Sequence, residues 1–214
     1  MKTLSSFFLF LIFTAVALAQ TEESNVQFGF GVGMSRDFPI ILTEDFESFT
    51  LPIDFANFSF LIRGKNFRIE PSLGYYTYST EGSTEYYPGE TYHSEYSTSN
   101  FRIGAVIAYN NSSVESMNFY YGIDVGVILI SVSSSSSSPY PYPTNQSTDL
   151  SRTDFFIGPA IGGEYMFNRY FSLGGEINVN YISVGNLSDG DDESDTTTWL
   201  ISSRGAIYVR WYVN

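Results

Sequence analysis

The sequence predicts an all-β fold, a single eight-stranded antiparallel up-and-down β-barrel, and two observations support this prediction. First, apolar and polar side chains alternate along eight segments, which is the period of a strand with one face buried in an apolar medium. Second, long and short connections alternate between these segments. Antiparallel strands joined in this order place every long connection at one end of the barrel, and the short turns and both termini at the other end.

The eight predicted strands cover most of the chain. Their bounds are residues 24–35, 52–63, 67–80, 96–110, 118–133, 151–167, 171–185 and 197–214. Short connections are predicted at 64–66, 111–117 and 168–170, and long polar ones at 36–51, 81–95, 134–150 and 186–196. The second strand is irregular, because Phe55 and Phe58 have opposite parity. A β-bulge near Ala56 and Asn57 or a wrong strand boundary would each explain this.

Residues 1–19 have the pattern of a secretory signal peptide. Lys2 precedes a short apolar stretch, and Ala17-Leu18-Ala19 forms a small-residue cleavage site before Gln20. The apolar stretch is shorter than the ~20 residues of a transmembrane helix. We therefore expect an exported protein whose residues 20–214 form one barrel domain.

The composition excludes several classes of function. The chain has no cysteine, which excludes disulfides, a thiol nucleophile and cysteine zinc sites. Its net charge of −13 becomes −14 once Lys2 is cleaved off, and so acidic a chain cannot neutralise nucleic-acid phosphates. Lysine occurs only at Lys2 and Lys65, whereas soluble β proteins usually place lysine on exposed faces and edges.

One face of the predicted strands combines glycines with charges of both signs, and arginine is the preferred cation. Small residues make room for longer neighbours in a narrow barrel, and the arginine fork suits buried carboxylates. A soluble β-sandwich with this face in water is the alternative, and the scarcity of lysine argues against it. We predict a polar network in the lumen formed by Arg68, Glu70, Arg102, Asp124, Glu164, Glu176, Arg204 and Arg210. Glu176 is expected to be held by an arginine.

Aromatic residues on the opposite face indicate where a membrane would begin and end. Trp199 and Trp211 are twelve residues apart on one face of the last strand, which corresponds to roughly 30 Å of height in a tilted strand. This is close to the separation of the two aromatic girdles of a membrane barrel, although ordinary core aromatics would also fit. The predicted girdle residues are Trp199, Trp211, Phe171, Tyr181, Tyr165 and Tyr109.

The chain resembles the small eight-stranded outer-membrane barrels of Gram-negative bacteria, of the OmpA transmembrane-domain and OmpX type. It also resembles the PorT-like outer membrane protein β-barrel group of Bacteroidota. The resemblance rests on the signal peptide, on the turn Asn168-Arg169-Tyr170 leading into "FSLGGEINVNY", and on the last strand "RGAIYVRWYVN". It implies periplasmic short turns, extracellular long loops and an outer-membrane location. Such barrels commonly end on an aromatic residue, whereas this chain ends on Val213-Asn214.

Three polar segments are candidate sites, each with a plainer interpretation. The acidic rim of the fourth long loop could bind Ca²⁺ or bridge to lipopolysaccharide, but it lacks EF-hand spacing and is more simply a solvated loop. Its residues are Asp189, Asp191, Asp192, Glu193 and Asp195. His93, the one histidine, has no positioned partner in a predicted flexible loop. The serine-rich third loop is either a recognition surface or a disordered spacer.

We therefore expect a monomeric barrel without cofactors, in contact with outer-membrane lipid and lipopolysaccharide. Its charged interior would be closed, and its acidic, tyrosine- and serine-rich outer loops would serve a structural or surface-interaction role. Three alternatives stay open: a barrel enzyme that modifies lipid A or peptides, a soluble barrel that binds an apolar ligand, and a component of an envelope or secretion complex. No catalytic or cofactor-binding residues are predicted.

Overall fold

The computed structural model describes residues 26–40, 53–87, 90–114, 116–138, 144–185 and 198–213. The strands are β1 (Gln27–Ile40), β2 (Ile53–Arg63), β3 (Phe67–Tyr87), β4 (Glu90–Val114), β5 (Met117–Ser138), β6 (Thr144–Asn168), β7 (Phe171–Val184) and β8 (Thr198–Val213). Each strand pairs antiparallel with the next, and β1 pairs with β8, so the eight strands form a closed barrel. The predicted fold class is confirmed. Within the described residues, no helix has the length and hydropathy needed to cross a membrane.

Alternation of side chains decides which face of each strand is buried. Along β7, Ser172, Gly174 and Glu176 are buried, while Leu173 and Ile177 between them are exposed. Closure satisfies the backbone hydrogen bonds of every strand in the barrel wall, so the buried face can only be the lumen. Apolar side chains therefore point outward and polar ones inward, which is the reverse of a soluble domain.

Two short turns have simple local causes. Gly64 donates its amide to the carbonyl of Phe67 at 2.9 Å, which closes the turn between β2 and β3. The side-chain oxygen of Asn168 accepts a hydrogen bond from the amide of Tyr170 at 2.8 Å, a local bond that favours a turn between β6 and β7. Both turns lie where the sequence predicts them.

The wall of the barrel has two heights. The ladder between β2 and β3 extends to the pair Ala56 and Tyr75, and the ladder between β6 and β7 to Phe155 and Ser183. The ladders of β3 with β4 and β5 with β6 continue beyond these rows as far as Tyr87 and Ser138. Four strands thus continue as a sheet above the rim, which is the level at which the eight-stranded wall ends. We call this sheet the strand extension. It comprises residues 76–87, 90–100, 130–138 and 144–152.

The strand extension corrects two predicted connections. Most of the predicted loops 81–95 and 134–150 belong to β3, β4, β5 and β6, and only residues 88–89 and 139–143 separate these strands. Residues Ser133–Ser137 pair with both β4 and β6, so this part of the predicted third loop is strand. Serine, threonine and glutamate suggest a loop when considered alone, but here the neighbouring strands supply the backbone hydrogen bonds.

The irregularity of β2 is a change of packing and not a bulge. The register with β1 runs without a shift from Arg63 to Ile53, so neither explanation offered by the sequence is correct. Phe55 is buried in the lumen at 1% exposure, and its ring lies 6.3 Å from that of Tyr76. Phe58 stays outward at 63% exposure. The parity of the apolar residues changes along β2 because one apolar ring occupies the inner face.

Candidate functional site

The eight side chains of the predicted lumen network are all buried inside the barrel. Their relative exposure is at most 4%. Both signs of charge are present, so the geometry of their pairing decides whether such burial can be stable. They form a lower cluster near the short turns and an upper cluster nearer the strand extension.

The lower cluster is centred on Glu70. Arg210 approaches it as a fork, with Nε 3.0 Å from Oε1 and Nη2 3.1 Å from Oε2. Arg68 donates from Nη2 to Oε2 at 2.6 Å. The Arg68 guanidinium also lies 3.9 Å from the ring centroid of Tyr120. Two arginines from β3 and β8 are therefore held by one carboxylate, with fork geometry that arginine provides and lysine does not.

Glu164 of β6 is the second acceptor of the lower cluster. Its Oε1 accepts hydrogen bonds from Nη1 of Arg63 at 2.7 Å and from Nη1 of Arg68 at 3.2 Å. Its Oε2 accepts from the hydroxyls of Ser172 and Tyr212. Because these donors come from four different strands, this carboxylate ties opposite sides of the wall together.

The upper cluster joins two arginines to two aspartates. Arg102 lies 2.8 Å from Asp124 and 3.3 Å from Asp37, and Arg204 lies 3.6 Å from each of these aspartates. Asn178 donates a hydrogen bond to Asp124 at 2.7 Å. The Arg102 guanidinium is 3.6 Å from the ring centroid of Phe156, so an aromatic face covers the charge on one side.

Glu176 is bound differently from what the sequence suggests. Its Oε2 accepts a hydrogen bond from the hydroxyl of Tyr120 at 2.9 Å, and its Oε1 has no hydrogen-bond partner. The expectation that an arginine holds Glu176 is therefore wrong. Arg68 and Arg210 are bound by Glu70 and Glu164 instead, because those carboxylates lie within reach of the guanidinium groups.

The sequence reasoning missed several members of the lumen. Asp37 falls in a predicted long connection, and Arg63 lies at the end of a predicted strand. Tyr120, Tyr208 and Tyr212 are absent from the predicted network because it contains charged residues only. Their parity was the available signal, since Tyr208 and Tyr212 alternate with Arg204 and Arg210 on the same face. With these residues included, the lumen holds five arginines and five carboxylates, and Glu176 is one of the five carboxylates.

Inward glycines make room for this network. A Cβ on Gly174 would lie 2.6 Å from Nη1 of Arg210, and one on Gly126 would lie 2.5 Å from Cζ of Phe156. A Cβ on Gly162 would overlap the ring of Tyr120. The outward Gly205 differs, because a Cβ there meets nothing within 4 Å.

The six predicted girdle residues lie on the outer face of the wall. Trp211 is 36% exposed and stacks on Phe30 at 5.4 Å, and Phe171 packs against its edge at 5.7 Å. Near the other end of β8, Trp199 stacks on Tyr181 at 5.8 Å. Tyr109 and Tyr165 are also exposed, at 47% each.

Large apolar side chains are exposed on every strand between these aromatic pairs. The most exposed are Met34, Phe58, Phe155, Ile161, Ile177 and Ile207, at 60% or more. Charge reaches this outer face at Arg36, which stands opposite Asp54 in the register of β1 and β2.

The strand extension has two different faces. Inward positions carry mostly tyrosine and hydroxyl groups, such as Tyr78, Tyr96 and Ser134, and the apolar pair Val132 and Leu150 lies near the base of this face. Outward positions carry Glu81 and Glu95, which stand directly opposite each other in the register. Both are exposed. The uncharged face continues the lumen side, and the acidic face continues the outer wall.

His93 and the acidic rim have different outcomes. His93 is an exposed residue of β4 opposite Ser83 and Ser137, so its predicted place in a loop is corrected. The rim residues Asp189, Asp191, Asp192, Glu193 and Asp195, like the signal peptide, lie outside the described residues. In the part of the chain that is described, no group of three or more acidic or histidine side chains is arranged to hold a metal ion.

Comparisons with solved structures find similar barrels. The attachment invasion locus protein Ail of Yersinia pestis, solved with the heparin analogue sucrose octasulfate, is 11% identical with a TM-score of 0.47, covering 90% of this chain and 100% of that one. Neisserial surface protein A is 12% identical with a TM-score of 0.43, covering 89% and 99%. The outer membrane protein OprG of Pseudomonas aeruginosa is 10% identical with a TM-score of 0.44, covering 88% and 96%. No protein-family model and no curated protein matches the sequence.

Proposed function

We propose that this chain is a monomeric outer-membrane barrel with a closed, ion-paired interior. It presents the strand extension at the cell surface for a structural or surface-interaction role and is not an enzyme. The observation that supports this most strongly is the inversion of the barrel, with charges buried and apolar side chains exposed. The proposal includes export by the signal peptide of residues 1–19 and contact with outer-membrane lipid and lipopolysaccharide.

The exposed apolar belt supports a membrane location. Side chains such as Met34 at 69% and Ile207 at 65% exposure would face water in a soluble protein. Soluble monomers rarely expose contiguous apolar patches larger than a few hundred Å². A closed barrel leaves no unpaired strand edge in lipid, so the belt can lie in the hydrocarbon region. Trp211 and Trp199 would then stand near the two interfaces.

The lumen network supports a closed interior. An eight-stranded barrel has an interior just wide enough for side chains to fill. Here the two clusters cross it from several strands, as Arg210 of β8 binds Glu70 of β3, and Arg102 of β4 binds Asp37 of β1. Ions would have to break these pairs to pass.

Membrane location is tested by fractionation of cells expressing the full chain. We expect the protein to sediment with outer membranes and to change its gel mobility in SDS after boiling. Recovery in the soluble periplasmic fraction would contradict the proposal and favour the soluble barrel that binds an apolar ligand.

The closed interior is tested by conductance in planar lipid bilayers. We expect no stable channels from the refolded protein. The conductance of the unaltered protein is compared with that of an Asp124→Ala and Glu70→Ala double variant, which lacks the central acceptor of each cluster. Stable, sizeable channels from the unaltered protein would overturn the closed interior.

A further inference from the structure

The inward face of the strand extension has a composition unlike that of the lumen below it. We call it the hydroxyl face. Its side chains include Tyr78, Tyr92 and Tyr96 together with Ser134, Gln146 and Thr148. At the inward positions of residues 76–84, 91–98, 130–137 and 146–150, no side chain carries a formal charge.

A depression of about 410 Å³ lies on this face. Tyr92, Ser94, Glu95 and Tyr96 of β4 line it, as do Ser134 of β5 and Thr148 of β6. Ligand sites typically have volumes of about 300–1,000 Å³, so the depression is large enough for a small ligand or one unit of a larger one.

The tyrosines are presented as a platform. Tyr78 and Tyr96 are 45% and 41% exposed. Since Tyr78 pairs with Thr98, Tyr96 is its diagonal neighbour on the same face, roughly 7–8 Å away. Tyr92 follows on the same strand, about 13 Å from Tyr96 at the rise of an extended strand. The rings stand on paired strands, so little conformational entropy is lost when a ligand stacks on them.

An unpaired polar group lies at the base of the same face. Asn100 is 4% exposed, and its side-chain Oδ1 has no hydrogen-bond partner. Buried polar groups normally have a partner, and this amide lies two rows below Tyr96 on the same face. The charges beside it are paired, because Arg152 lies 2.9 Å from Asp154.

We propose that the hydroxyl face binds a neutral oligosaccharide. A sugar ring has an apolar face that stacks on tyrosine and a rim of hydroxyls that matches serine, threonine and amide groups. A polyanionic glycan is disfavoured, because the face has no cation and the outward face of the same sheet carries Glu81, Glu95 and Asp149. An apolar peptide would need a longer apolar groove than the single pair Val132 and Leu150 at the base of this face provides. Access from outside the cell rests on the proposed function, but binding itself does not.

The test measures binding to the full-length refolded protein in detergent. Maltohexaose, cellohexaose and chitohexaose are titrated by calorimetry, with dextran sulfate as the polyanionic probe and an extended apolar peptide as the third. We expect at least one neutral hexasaccharide to bind with a Kd below about 1 mM and more tightly than the other two probes. Tyr96→Ser should weaken that binding roughly fivefold to tenfold, and Tyr96→Phe should leave most of it.

Asp149→Asn is the matched control, because it changes the exposed residue next to Thr148 on the opposite face of β6 and does not line the depression. It should leave hexasaccharide binding unchanged. The proposal is overturned if no hexasaccharide binds, if dextran sulfate or the peptide binds more tightly, or if Asp149→Asn weakens binding as much as Tyr96→Ser. Gel mobility after boiling shows for each variant that the barrel is folded. A folded barrel that binds no hexasaccharide separates failure of this inference from failure of the proposed membrane location.

Discussion

The lumen and the strand extension are built on the same strands, β3 to β6, but they use opposite chemistry. Below the rim, eight strands close around the inward side chains, water is excluded, and each buried charge needs a partner within a few ångströms. Above the rim, four strands form a sheet that water can reach on both faces. There the inward positions carry uncharged hydroxyl groups, and acidic groups face outward. Closure of the wall, and not the sequence period, decides which polar residues a face tolerates.

This comparison predicts that most of the stability resides in the lumen. Glu70→Ala leaves Arg68 and Arg210 buried without their shared acceptor, and breaking a buried pair in this way costs about 3–5 kcal/mol. We expect such a loss in the free energy of unfolding, measured by urea titration in lipid vesicles. Glu95→Ala on the strand extension is the control and should change it by no more than about 0.5 kcal/mol. Equal effects of the two variants would refute the comparison.

Glycines on the two faces of the wall should also differ. Gly162→Ala places a methyl group against the ring of Tyr120, and overpacking of this kind costs about 1–3 kcal/mol. Gly205→Ala should be neutral or slightly stabilising, because its Cβ meets nothing and glycine weakens a strand. The same urea titration compares the two. A larger loss for Gly205→Ala would mean that the outward face is more tightly packed than the structure indicates.

Glu176 offers a sharper test within the lumen. Because its partner is the hydroxyl of Tyr120, Glu176→Gln keeps an acceptor for that hydrogen bond and should cost less than about 1.5 kcal/mol. Glu70→Gln should cost more, since it removes a charge that two arginines share. A loss for Glu176→Gln as large as that for Glu70→Gln would reinstate an arginine as its partner.

The smallest effect is expected from shortening the strand extension. Thr80 and Tyr96 are directly paired, so residues 81–95 can be replaced by an Asn-Gly turn that suits a two-residue hairpin. We expect the free energy of unfolding to change by no more than about 1 kcal/mol, because these exposed strand ends lie beyond the closed wall and hold none of the lumen pairs. The gel-mobility change on boiling should persist. Its disappearance would show that the barrel needs the extension in order to close.

Several features of the fold could be predicted because they depend on local patterns. Alternation of side chains assigns every strand, and the turn residues Gly64 and Asn168 explain two short connections. Strand lengths could not be predicted, because Ser133–Ser137 has no apolar alternation, and its strand structure depends on pairing with β4 and β6. The faces of β2 could not be assigned from its apolar residues, because hydrophobicity alone does not tell an inward ring such as Phe55 from an outward one.

The same division holds for the candidate site. Parity placed Glu70, Glu176 and Arg210 on one face, which follows from the two-residue period of a strand and requires no knowledge of neighbours. The choice of partner depends on the stagger of strands that are distant in sequence. Arg210 reaches Glu70 across 140 residues of chain, and Glu176 meets Tyr120 instead of an arginine. The sequence by itself determined the number of strands and the faces of their side chains. Only the tertiary structure decided the height of the wall and the pairing within it, because both depend on closure and register between strands.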